Sequence, residues 1–297
     1  MSLSKRKDML YSIAFMSPAI ILCVLFIIVP IFDSVRMSFT DFRVMHLTQN
    51  IPGEWNNFAN YTRLWNAGRL QSAARITTTF VVITVGLSFI FGMILALLLN
   101  SNIKGARFLR SIMMIPWVIP TVISGLIWSW IYTNPYGILQ YLISVVTGGA
   151  VTGFGVLNHI ETALWGIVVA ALWRQIPLMT LLLLAGMQNV SDEMIEAAQI
   201  DGAGYFKRLV SIIIPSMKSV IAATVSMSII ENFKQYPLFA VLTNGGPMGA
   251  TTTFAVLSFD EAFINHNYGA GAAVTTVWLL MMIVVVIIFN LIFKKVA

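Results

Sequence analysis

The chain has 297 residues, 58% of them hydrophobic and only 10% charged, with a formal net charge of +6. That composition excludes an ordinary soluble domain. The positive balance calls for no nucleic acid, because most cations sit at the ends of apolar runs, where anionic lipid and membrane orientation account for them.

Six apolar runs are long enough to cross ~30 Å of hydrocarbon, which takes roughly 20 helical residues. They fall near residues 10–32, 76–99, 109–133, 161–187, 209–230 and 272–293. The expected fold is an all-α membrane protein with six transmembrane helices. Lys5, Arg6 and Lys7 precede the first run, which exceeds a signal-peptide core and has no small-residue cleavage site, so it reads as an uncleaved span. Cys23, the only cysteine, lies inside that run as a packing residue, so an intramolecular disulfide and a cysteine metal cluster are both excluded. An even number of spans returns both termini to one side. Eleven Lys and Arg then fall in inner segments against six in outer ones, which favours cytoplasmic termini.

Residues 34–75 form a mixed outer loop rich in aromatics: Phe39, Phe42, Trp55, Phe58, Tyr61 and Trp65. Two readings are open, an ordered cap facing an extracytoplasmic partner and an interfacial aromatic belt. The third run contains Pro116 and Pro120, which can bend a span where neighbours satisfy the freed carbonyls. Ser124, Trp128 and Tyr132 follow at i, i+4 and i+8, on one helical face. That face suits either sugar contact or helix packing. Residues 134–160 begin with an Asn134-Pro135 turn, and the run from Gly137 to Val146 is too short to span, so it reads as an interfacial outer helix.

The fourth run holds Trp173, Arg174 and Gln175, followed by Pro177. An arginine in mid-run costs roughly 2.5–3.5 kcal/mol on insertion scales unless it meets water, a partner or a substrate. Arg174 and Gln175 therefore read either as the lining of a solvated pathway or as part of a structural ion pair, with Glu231 as the candidate partner. Next comes a short polar segment. Ser191 can cap a helix with Asp192 and Glu193 in its first turn, and Gly202 and Gly204 stop it. In the fifth run Ser228, Asn232 and Gln235 stand at i, i+4 and i+7, a stripe of hydroxyl and amides that can donate to and accept from sugar hydroxyls, or bond between helices. Residues 236–259 are uncharged, but Asn244-Gly245-Gly246-Pro247 is a turn signal in mid-run, so an outer or re-entrant hairpin is expected there rather than a seventh span.

Glu196, Ala197 and Ala198, followed at fixed spacing by Gly202, Ile212, Ile214 and Pro215, resemble the EAA loop of the membrane subunits of binding-protein-dependent ABC importers. The one departure is Ile214, where the family usually has Leu. Asp201 and Ala203 extend the match to the IDGA form common among carbohydrate importers. FANYTRLW in the first outer loop resembles a stretch that follows the first span in this family. LTNGGPMGATT, with DEAF and NYGAGAA, resembles the TxGGP region of one of the two paired permeases of carbohydrate importers. The likeness is most specific over residues 173–273. Related maltose-type subunits use a polar stripe after the EAA loop for substrate contact, which favours the sugar reading of Ser228, Asn232 and Gln235.

The resemblance implies the six-span architecture of a type I importer permease. Its parts would be a cytoplasmic N-terminus over residues 1–8, a first span over 9–33, an extracytoplasmic loop over 34–75 and a permease core over 76–294. The core would include the EAA coupling loop at 189–208 and a re-entrant segment at 232–271. It further implies a heterodimer with a homologous permease, two ATPase subunits carrying ATP and Mg, an extracytoplasmic solute-binding protein, and a prokaryotic cytoplasmic membrane. Glu196, Ala197, Ala198, Asp201, Gly202 and Pro215 would couple to the ATPase. Ser124, Trp128, Trp173, Arg174, Gln175, Ser228, Asn232 and Gln235 would line the substrate pathway.

No GxxxxGK[ST] phosphate loop, nucleophile elbow or paired carboxylates occur, and His46, His159 and His266 are scattered, so neither catalysis nor a metal site is expected in this chain. A secondary carrier is the main rival class, but the runs hold almost no interior carboxylate for ion coupling. A passive channel or scaffold would leave the EAA pattern without a role. An acidic sugar or sugar phosphate, steered by Arg174 and Lys234, is the alternative substrate.

Overall fold

The computed structural model describes residues 3–49, 51–101, 104–151 and 153–295. The terminal cations that enter the orientation argument, Lys5, Arg6, Lys7, Lys294 and Lys295, fall outside the residues whose side chains are described. Among the described residues no β-strand forms, only two isolated bridges.

Helix α1 (Leu3–Cys23) passes through a π-helical turn into α2 (Val29–Met37), and two short helices, α3 (Val44–Gln49) and α4 (Ala59–Asn66), lead to α5 (Arg69–Asn100). Next come α6 (Ala106–Met113), α7 (Ile115–Val118), α8 (Thr121–Tyr132), α9 (Ile138–Val146) and α10 (Ile160–Met187). The short α11 (Asp192–Ile200) and α12 (Tyr205–Arg208) precede α13 (Ile214–Ser216) and α14 (Lys218–Phe233). A hairpin of α15 (Pro237–Leu242) and α16 (Phe254–Phe259) leads to α17 (Tyr268–Lys295). Among the described residues, four helical stretches are long and apolar enough to cross a membrane, and up to six if each of two bent pairs is one span.

The third and fifth runs are not straight spans: the prolines of the third anticipated its bend, while the bend of the fifth is new. Residues 106–118 meet α8 at 92°, and residues 205–216 meet α14 at 71°. At the first break Ile119 is extended (φ −66°, ψ 130°), as expected of a residue that precedes a proline. At the second, Pro215 lacks the N–H that an uninterrupted helix needs, a π-helical turn (Leu209–Ile213) precedes it, and the helix ends at Met217. The twelve residues of α8 reach only about 18 Å at ~1.5 Å per residue, so α8 does not cross alone. The segment 236–259 is a hairpin of two six-residue helices rather than a span, with Thr251 donating to the Gly246 carbonyl and bonded to the Thr243 hydroxyl across its turn. Helix α9 has nine residues, too few to cross.

The chain divides into two compact units. The first comprises residues up to 70 together with 257–279. Between α2 and α5, Phe39 stacks on Trp55 at 5.2 Å and meets Phe58 edge-on, while Asn60 donates to the carbonyls of Ser38 and Thr40. The fully buried Glu261 accepts from Arg63 at 2.7 Å and from Arg69. Phe39, Trp55, Phe58 and Asn60 are thus held by one another and by the backbone rather than standing as independent rings. The second unit comprises residues 71–256 and 280–295 of the described chain. Its core joins Met93, Ala96 and Leu99 of α5 to Met179, Leu183 and Met187 of α10, and to Ile221 of α14. Small residues allow close helix approach there: a Cβ on Gly92 would come within 2.6 Å of Met179.

Candidate functional site

Within the second unit, the residues around the α7–α8 bend, α10 and α14 enclose a cavity of about 430 Å³. Proline at position 120 forces the bend that turns Trp117 and Thr121 toward it. Helix α10 contributes Arg174, Gln175 and Leu178, and α14 contributes Thr224, Ser228 and Glu231. Lys234 and Gln235 follow the end of α14 at the same wall. Hydroxyls, amides and charges thus face an otherwise apolar chamber, the usual composition of a small-molecule site.

Gln175 and Asn232 form a reciprocal amide pair. Gln175 Nε2 donates to Asn232 Oδ1 at 3.0 Å, and Asn232 Nδ2 donates to Gln175 Oε1 at 2.8 Å. Asn232 also donates to the Ser228 carbonyl at 2.9 Å. Asn232 is 2% exposed and absent from the cavity wall, so it holds Gln175 rather than facing the chamber. Of the three residues read as a polar stripe, Ser228 and Gln235 reach the cavity and Asn232 turns toward α10. Thr224, four residues before Ser228, extends that stripe by one helical turn and was legible from the same spacing.

Arg174 makes no salt bridge among the described residues, and its Nε is buried without a hydrogen-bond partner. Glu231, the candidate partner of the ion-pair reading, makes no salt bridge with it: Glu231 Oε1 accepts from Lys234 Nζ at 2.8 Å. Lys234 stands three residues away on the same helical end and reaches the carboxylate at little conformational cost. The cavity therefore holds the Glu231–Lys234 ion pair and a second cation, Arg174, that lies in the field of Glu231 but makes no salt bridge among the described residues.

Three expected pathway residues lie elsewhere. Ser124 is fully buried and donates to the Pro120 carbonyl, which leaves its hydroxyl inside its own helix. Trp173 meets Trp128 edge-to-face at 5.9 Å, and Trp128 packs on Tyr132, whose hydroxyl donates to the Gly166 carbonyl at 2.9 Å. This aromatic ladder ties α8 to α10 and does not line the cavity.

In the segment of residues 189–208, α11 has Asp192 and Glu193 in its first turn. Ser191 occupies the N-cap, but its side chain makes no capping bond, which differs from the expectation. The C-terminus closes as a Schellman motif: Ala203 N–H donates to the Ala198 carbonyl and Gly202 N–H to that of Gln199, with Gly202 at φ +76°. Glu196, Ala197 and Asp201 are exposed and Ala198 is buried. Ile200 and Phe206 are 87% and 76% exposed, an apolar pair displayed beside these polar residues.

The model of the family described as "Binding-protein-dependent transport system inner membrane component" matches residues 88–297. The trehalose/maltose transport system permease protein MalF of Thermococcus litoralis is 34% identical over 80% of this chain and 78% of its own length. The sulfoquinovosyl glycerol transport system permease protein SmoG of Agrobacterium fabrum is 29% identical over 90% of this chain and 85% of its own. A chain of a bacterial ABC transporter involved in import of the acidic polysaccharide alginate shares the fold, with a TM-score of 0.81, 19% identity, and coverage of 99% of this chain and 97% of that one. This multi-pass membrane chain belongs to the family of inner membrane components of binding-protein-dependent transport systems, and it is a permease of that family.

Proposed function

We propose that the chain is one of two permease subunits of an ATP-driven importer for a sugar or oligosaccharide in a prokaryotic cytoplasmic membrane, with both termini cytoplasmic. The observation that carries the substrate class is the cavity wall, where Thr121, Gln175, Thr224, Ser228 and Gln235 offer paired donor and acceptor groups. The sugar-transport names of the relatives support the same class. A homologous permease, two ATPase subunits binding ATP and Mg, and an extracytoplasmic binding protein complete the assembly. Helix α11, with Glu196, Ala197, Ala198, Asp201 and Gly202, and with Pro215 at the following bend, is the lever that seats in the ATPase. Nucleotide-driven closure moves it and rocks the spans between outward- and inward-open states.

The test is gentle purification from native membranes with mass spectrometry of the co-purifying chains, followed by sugar-stimulated ATP hydrolysis. A second permease and an ATPase in stoichiometric amounts are expected. A lone stable chain across several detergents would overturn the reading in favour of a secondary carrier. The cation at Arg174, without a salt bridge among the described residues, favours a second reading in which the sugar carries an acidic group. Competition of uptake by uronate against neutral oligosaccharides separates the two.

A further inference from the structure

The segment before the 92° bend carries a surface that the transport reading does not use. Arg107 and Ser111 stand at i and i+4, and Met114, Ile115 and Val118 continue the same helical stripe as far as Ile119 and Pro120. Ser111, Met114, Ile115, Val118, Ile119 and Pro120 line an open groove of about 430 Å³, separate in its lining residues from the cavity. Arg107, exposed, stands one helical turn before Ser111, and Lys104, also exposed, precedes the helix start at Gly105. Arg110 is held instead by donating to the Leu99 carbonyl at 3.0 Å.

The stripe thus runs in order from Arg107 through a hydroxyl to an apolar trough at the bend, with Lys104 just before the start of the helix. Phe108, Leu109 and Ile112 beside it are 69%, 47% and 48% exposed, so the helix shows hydrocarbon to its surroundings along its whole length. A basic end followed by exposed hydrocarbon suits a helix whose first turn meets anionic headgroups and whose remainder meets acyl chains. The charge order along the groove matches one molecule: a phosphate headgroup at Lys104 and Arg107, a glycerol backbone near Ser111, and an acyl chain along Met114, Ile115 and Val118.

We propose that the elbow formed by residues 104–120 is a binding site for an anionic phospholipid, seated with its headgroup on Lys104 and Arg107 and one acyl chain in the groove at the bend. The occupant is a lipid rather than a free phosphate, because the trough beyond Ser111 offers only hydrocarbon contact.

The full chain, reconstituted in nanodiscs holding equal phosphatidylglycerol and phosphatidylcholine and then released into detergent, is read by native mass spectrometry for retained lipid. Phosphatidylglycerol should be retained in preference to phosphatidylcholine. Lys104→Gln and Arg107→Gln should each lower its retention roughly fivefold, the effect expected of one cation near an anionic lipid. Ile115→Trp, which fills the trough without touching a charge, should lower retention of both lipids. Equal retention of the two lipids, or unchanged retention in the double Gln variant, overturns the proposal. So does a second protein chain found to shield a Val118→Cys thiol from labelling in nanodiscs, since that chain would then occupy the groove.

Discussion

Gln175 and Asn232 each donate to and accept from the other across the α10–α14 interface, at 3.0 and 2.8 Å, so one residue that faces the cavity is oriented by one that does not. Such a pair fixes the direction in which Gln175 presents its remaining lone pair and N–H. Asn232→Ala removes both bonds and frees the Gln175 amide to rotate. Each bond is worth about 1 kcal/mol, so the apparent KM for uptake should rise by up to about thirtyfold while the maximal rate changes little. Uptake kinetics in proteoliposomes decide it. An unchanged KM would make the pair a helix–helix fastener only.

The cavity wall predicts a contrast between two hydroxyl- or amide-bearing positions. Gln235 lines the chamber, whereas Ser124 spends its hydroxyl on the Pro120 carbonyl behind the wall. Gln235→Leu should weaken apparent affinity by several-fold, the loss of one or two hydrogen bonds to a sugar. Ser124→Ala should leave affinity within about twofold, because the carbonyl it releases belongs to its own helix. A larger effect from Ser124→Ala would put the third run's polar face back in the pathway.

How much of this was legible in the sequence follows from the range of each interaction. Apolar run length and charge placement identify the spans, and Asn244-Gly245-Gly246-Pro247 identifies the hairpin, because these signals are local. The bend at Pro120 was signalled by its proline; the one at Met217 was not, although Pro215 stands two residues earlier. The helical spacing of Ser228 and Gln235 brought both to the cavity, yet the same spacing admitted Asn232, whose direction depends on Gln175, 57 positions away. Trp117 enters the wall only because the chain turns at Ile119. Glu261 and its arginines, separated by 192 and 198 positions, leave no pattern in the sequence at all.

That Glu261 cluster should hold the first unit together. The carboxylate is fully buried, while Arg63 and Arg69 side chains remain 53% and 38% exposed. Solvent screens the arginines, so the full ~3–5 kcal/mol of a broken buried pair is discounted to about 2 kcal/mol. Glu261→Ala should lower the thermal midpoint of the detergent-purified protein more than Glu261→Gln, which keeps the shape and part of the hydrogen bonding. Equal midpoints for Glu261→Ala and the parent would remove the cluster from the stability argument.

Close approach makes a sharper test of the same unit. A Cβ on Gly269 would stand 2.2 Å from the Thr40 carbonyl oxygen and 3.1 Å from Asn60 Nδ2, so the backbone itself must move to admit it. A Cβ on Gly86 meets nothing within 4 Å. Gly269→Ala should therefore cut the folded, monodisperse yield severely, in the range of overpacking costs of about 1–3 kcal/mol or more. Gly86→Ala should be neutral or slightly stabilising, since alanine favours the helix by about 1 kcal/mol. Size-exclusion profiles of the two variants distinguish a steric role from general intolerance of glycine replacement.

The proposed role of α11 as a lever is tested by separating backbone from charge. Gly202 sits at φ +76° with open space around its would-be Cβ, so replacement strains only the backbone. Asn tolerates that conformation and Val does not, so Gly202→Asn should keep most uptake and Gly202→Val should lose most of it. Glu196 is exposed on the same short helix and changes the docking charge without disturbing packing. Glu196→Lys combined with Gly202→Pro should abolish uptake while the protein still inserts and accumulates in the membrane. Stimulated ATP hydrolysis by the assembled complex should fall in parallel, because a lever that is folded but misseated cannot transmit closure. Normal uptake in the double variant would mean that nucleotide-driven motion enters the permease elsewhere.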